Sequence, residues 1–151
     1  MPNITDVTLT DDWNLPIEQV REKLLALEEA SRQHEQAHIP TKEYFSDGCY
    51  GREVMIPKGV CAVGAIHKSE WIVVVSRGHI RVVSEEGTSI IDARDHPVTF
   101  ISPPGVKRAV YALEDTWWTM FRETPHTNTE DIRKEHIASD YTQLENTKCL
   151  G

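Results

Sequence analysis

Two short stretches hold the side chains best suited to chemistry. In "HKSEW", residues 67 to 71, an imidazole, a carboxylate and an indole lie within five residues; in "VKRAV", residues 106 to 110, a lysine and an arginine adjoin among apolar neighbours. His67 has its ordinary pKa near neutrality, so it suits proton transfer or metal ligation. Arg108 is charged at any relevant pH and presents a planar fork of donors that matches carboxylate or phosphate. Glu70 is expected to pair with Arg108 or His67, holding the charge compensated until a ligand arrives. Trp71 offers a flat apolar surface for a planar ligand. His67, Glu70, Trp71 and Arg108 are therefore the candidate ligand-binding residues for a small anionic molecule. An enzyme that uses His67 as general base, oriented by Glu70, is a second reading. A filled structural or partner-binding domain is a third.

Strands and turns must position these groups. From residue 44 to 122 short β-branched and aromatic runs, among them "GREVMIP", "VCAVGAIH", "WIVVVS", "HIRVVS", "PVTFIS", "KRAVYAL" and "TWWTMFR", are separated by glycine, proline and aspartate. Glycines in "PKG" at 57–59, "SRG" at 76–78 and "SEEG" at 84–87 mark tight turns and predict a meander of antiparallel hairpins. Alternation puts Cys61, Val63, Ala65 and His67 on one face, and Val106, Arg108 and Val110 on one face, with Lys107 opposite and solvated. Upstream, Ile17, Val20, Leu24 and Leu27 form the apolar stripe of an amphipathic helix over about 16–35, with Asn14 as cap and Pro16 in its first turn. Its stripe is expected to cover one opening of the β structure. A short helix over about 128–141, capped by Asn128 or Thr129, closes the chain.

The 151 residues fit one domain, and a net charge of −8 argues against a nucleic-acid partner. No apolar run reaches the roughly 20 residues of a membrane-spanning helix, and no leader pattern is present, so a cytoplasmic location is expected. Cys49, Cys61 and Cys149 are widely spaced and read as free thiols.

Residues 51–122 resemble the cupin superfamily. The wider run from "LPIEQVREK" through "FSDGCYGREVMIPKG", "HKSEWIVVVSRG" and "SPPGVKRAVYALEDTWW" is similar to small cupin-like proteins encoded by bacterial viruses. The resemblance implies a mainly β fold, an antiparallel double-stranded β-helix (jelly-roll barrel), commonly a homodimer, with the face of Ala65 and His67 inward. The cupin ligand positions, however, carry Ala65, His67, Trp71 and Arg108, so one of four metal ligands remains in register. One histidine cannot supply the three or four donors that a bound transition metal needs, and His79 and His96 lack the spacing to converge with it. No metal cofactor is expected.

Overall fold

The computed structural model describes residues 13–142 and residue 144. Helix α1 (Ile17–Arg32) leads into strands β1 (Thr41–Ser46), β2 (Cys49–Ile56), β3 (Cys61–Val63), β4 (Ile66–His67), β5 (Trp71–Ser84), β6 (Gly87–Ala93), β7 (Val98–Ser102) and β8 (Ala109–Glu123). Helix α2 (Thr129–His136) and strand β9 (Ile137–Ala138) follow. Among the described residues no helix is long and apolar enough to cross a membrane. Cys149 lies outside them.

Helix α1 buries Val20, Leu24 and Leu27, whereas Ile17 is 54% exposed and falls off the stripe. The expected cap, Asn14, is too early in the chain: Pro16 holds the cap position without a side-chain bond, and its carbonyl accepts from the Gln19 and Val20 amides. The helix does not cover an opening. It packs on the outside of the sheet, against Cys61, Val63, Val83, Ala109 and Tyr111, together with Trp13. That placement reverses the expected parity of β3. Cys61 and Val63 face the helix, while Ala62 joins the barrel core with Ile56, Val73, Val75, Ile80, Val82, Val110, Ala112 and Trp118. Each fully buried aliphatic or aromatic side chain of that core contributes roughly 1.5–3 kcal/mol.

The strands pair in the order β1-β2-β8-β5-β6, with β3 on β8 and β7 on β5, and every pairing is antiparallel. This is not a meander, because β2 and β3 both pair with the distant β8. Two long strands, β5 and β8, each run through both halves of the barrel wall. The turn expected at 76–78 is instead a bend within β5, marked by register shifts between Val75 and Ile80. Gly78 makes it possible: its φ is +133°, and a Cβ there would sit 2.3 Å from the Thr116 hydroxyl oxygen. The expected hairpin at 84–87 is present, with Ser84 opposite Gly87. So is the turn at 57–59, closed by the Val60 amide on the Pro57 carbonyl.

Helix α2 starts at Asn128, whose side-chain oxygen accepts from the Asp131 amide, and it buries Ile132 and His136. It ends at His136 rather than near 141 because Ile137 and Ala138 pair with β4. On the outer face of the sheet, the cross-strand partners Ile101, Ile72 and Phe121 continue through Gly51 to Tyr44 as an exposed apolar row.

Candidate functional site

Alternation along β5 sends Trp71, Val73 and Val75 inward, and their cross-strand partners on β7 are Ser102, Phe100 and Val98. Trp71 is 4% exposed and stands at the barrel mouth, packed with Tyr50 and Ile132. His67 reaches the same place by another route. The strand breaks at Gly64, and β4 pairs with β9, so Ile66 turns to Ala138 and Leu144 while the His67 ring lies 5.4 Å from the Trp71 ring. The Gly105 amide donates to the His67 carbonyl at 2.8 Å, which ties β4 to the segment that carries Arg108. Burial, then the positive charges of Arg108 and Arg52, lower the His67 pKa to about 4. The imidazole is therefore neutral at neutral pH.

Arg108 precedes β8 and is partly buried. Its guanidinium donates to the Ser102 hydroxyl at 2.7 Å and sits 5.5 Å from the centre of the Phe100 ring. Burial lowers its pKa, opposed by Glu86 and Glu85, yet an arginine remains charged. His67, Trp71 and Arg108 are thus brought together. Glu70 is not. It lies exposed, just ahead of β5, and among the described residues its backbone carbonyl is engaged by Arg122. Lys107 also departs from expectation: it is 3% exposed, its ammonium pairs with Glu28 of α1 and donates to the Gly64 carbonyl at 2.9 Å. Parity holds at Arg108, which faces the barrel side with Val110, and at Lys107, which points to the opposite face; what differs is that α1 covers that face, so Lys107 is buried rather than solvated.

Two further groups lie close to His67 and Trp71. On β2, Arg52 shares the inward face with Val54 and Ile56, and the register places it in one rank with Met120, Val73 and Phe100. The pattern of "GREVMIP" carried that signal. Glu43 is the direct cross-strand partner of Arg52, but its carboxylate accepts from the Tyr50 and Thr129 hydroxyls. Among the described residues, neither Arg52 nor Arg108 has a carboxylate within ion-pairing distance. The second group is a pair with no sequence signal. The Ser69 hydroxyl lies 2.6 Å from His136 Nδ1, and the His136 ring meets the Trp71 ring edge-on at 5.6 Å. Trp71 therefore stands between two imidazoles; its Nε1 and His67 Nδ1 are buried without a hydrogen-bond partner among the described residues, as is His136 Nε2, which has the Glu135 carboxylate at 3.8 Å. Unpartnered buried donors and acceptors are costly, about 1–3 kcal/mol each.

A metal does not fit these residues. Where the cupin resemblance would place ligands the chain presents an indole and a guanidinium, neither with a free lone pair, and His67 is the sole donor. Among the described residues no group of three or more His, Cys, Asp or Glu converges; His79 sits opposite Asp92 in the β5–β6 ladder and His96 is exposed.

No protein-family model matches the chain, and no curated protein does. Solved structures do. Salicylate 1,2-dioxygenase from Pseudoaminobacter salicylatoxidans is similar with a TM-score of 0.51 at 11% identity, over 77% of this chain and 33% of the dioxygenase. A cupin domain from Bordetella pertussis is similar at 14% identity and a TM-score of 0.47, over 60% of this chain and 98% of that one. A cupin-2 domain protein from Shewanella frigidimarina has 10% identity and a TM-score of 0.46, over 65% and 92%. The fold is a mainly β antiparallel jelly roll. At these identities the similarity concerns the fold alone.

Proposed function

We propose that this cupin-fold chain is a small-molecule-binding protein that holds a small anionic ligand, a nucleotide or sugar phosphate, in the barrel mouth beside His67, Trp71 and Arg108, without a metal. The observation that carries this reading is Arg108: a partly buried guanidinium with one hydroxyl partner and, among the described residues, no carboxylate within ion-pairing distance, next to an aromatic ring. Such a charge is most stable when an oxyanion completes its bonds. The resemblance to proteins of bacterial viruses adds sequestration of a host metabolite as the physiological form of this binding.

The general-base reading is less well supported. A base with a pKa of about 4 holds a proton weakly at neutral pH, and Glu70 is not placed to orient it. A thermal-shift screen with phosphate-bearing metabolites tests the proposal. A ligand present at 100 times its Kd stabilises by about 2.7 kcal/mol, a readily measured shift. The expected result is a hit in the natural chain that disappears in Arg108→Ala. Equal shifts in both, or none in the natural chain, would overturn it.

A further inference from the structure

The pattern of strand partners assigns a second arm to this mouth. Arg52, Met120, Val73 and Phe100 follow one another as cross-strand partners over β2, β8, β5 and β7. Arg52 stands at one end of this rank, and the Arg108 guanidinium lies over Phe100 at the other. Three strand spacings of about 4.8 Å separate the ends, roughly 14 Å along the sheet and less across a curled barrel, before the inward reach of both side chains is counted. Between them the surface is apolar: Met120 and Phe100 are partly buried, and Val73, 0% exposed, is core beneath them. Two unpaired cations at the ends of an apolar strip describe a ligand with two anionic ends and an apolar middle.

We infer that Arg52 and Arg108 together clamp a doubly anionic ligand, one anionic group on each guanidinium, with a spacer of a few carbons lying over Met120 and Phe100. This inference rests on the anion-binding reading and narrows it to a class. The charges around Arg52 allow it. Glu43, the nearest carboxylate by register, is held by Tyr50 and Thr129, and Tyr50, its pKa pushed up to about 12 by burial and by that same carboxylate, stays a hydrogen-bond donor to it. Lys107 is taken by Glu28, and Arg122 and Lys68 donate to the Glu70 and Lys134 backbone carbonyls. Arg52 is exposed and makes no side-chain bond among the described residues. Its replacement therefore leaves the fold intact.

The test is a thermal-shift series with α,ω-dicarboxylates from malonate to suberate, the monocarboxylates from butyrate to octanoate, and inorganic phosphate, on the natural chain, Arg52→Gln and Arg108→Gln. The expected result is a dicarboxylate of one favoured length that stabilises the natural chain more than any monocarboxylate. Arg52→Gln should reduce that dicarboxylate to the level of a monocarboxylate while leaving the phosphate shift in place, and Arg108→Gln should remove every shift. If phosphate or monocarboxylates stabilise as much as dicarboxylates and Arg52→Gln changes nothing, the two-armed clamp is wrong and the single-anion reading stands. If no probe stabilises the natural chain at millimolar concentration, both are wrong.

Discussion

Glu28 on α1 holds the ammonium of Lys107 on the barrel side of the helix contact, where the lysine is 3% exposed. Removing one member of such a pair leaves the other charge without compensation. Lys107→Ala is expected to cost about 3–5 kcal/mol, while Glu28→Leu together with Lys107→Met, which removes both charges, should recover most of the loss. Urea midpoints of the three proteins check this, and equal losses in the single and double variants would refute it. Arg108, one residue on, should behave oppositely, with a modest effect on the empty protein and a large one on ligand-dependent stability. Acid sensitivity is set by His67. Its folded pKa of about 4 lies below the ordinary value near 6.5, so the unfolded chain binds more protons between these values. Stability is then fully present above about pH 6.5 and falls as pH drops towards 4, by roughly 3 kcal/mol in total for this group. The buried His136, also lowered by burial, acts in the same direction. Urea titrations at several pH values should show a shallower decline in His67→Phe; an unchanged decline would contradict the assignment. His67, Trp71 and Arg108 were legible because the motif spacing places them in register. Arg52 was legible only in the alternation of its own strand, which the motif does not cover. Glu70 misled because sequence proximity to His67 does not survive the start of β5 at Trp71.

Strand β5 shows which element the fold depends on most. Its two halves pair with β7 and β6, and β8 runs alongside both, so the bend at Gly78 sets how the barrel wall curves. A methyl group at 78 would meet the Thr116 backbone at 2.5 Å, in a conformation with φ of +133° that other residues avoid. Gly78→Ala is expected to cost roughly 3 kcal/mol or more, through strain and overpacking together. Gly48→Ala is the comparison: its φ is +74° but its added Cβ meets nothing within 4 Å, so only the smaller backbone penalty applies, about 1–2 kcal/mol. Equal losses in chemical denaturation would contradict the close-approach argument. In the sequence a glycine between two β-rich runs looks the same whether it turns the chain or bends it. That ambiguity split β5 into two expected strands, and the same kind of reading divided β8. The helix α1 was legible from its 3.6-residue period, but its destination was not, because an apolar stripe fits either a barrel opening or the outside of a sheet.

At the scale of the molecule, the jelly roll was readable from the strand-rich pattern and the cupin resemblance, while the crossing order β1-β2-β8-β5-β6 required pairings between distant segments that local turn signals do not encode. The apolar row from Ile101 to Tyr44 is the outer surface that the fold leaves uncovered. The homodimer expected from the resemblance remains a proposal; light scattering at high micromolar concentration should return the mass of two chains, and a monomeric mass would remove it. The central claim concerns what sits in the mouth, and an experimental electron-density map of crystals grown with a bound phosphate ester addresses it most directly. The account predicts an oxyanion about 2.7–2.9 Å from the Arg108 guanidinium, with Trp71 beside it and no metal. A peak about 2.0–2.1 Å from a His67 ring nitrogen, the distance of a coordinated metal, with Arg108 turned away from it, would contradict the account.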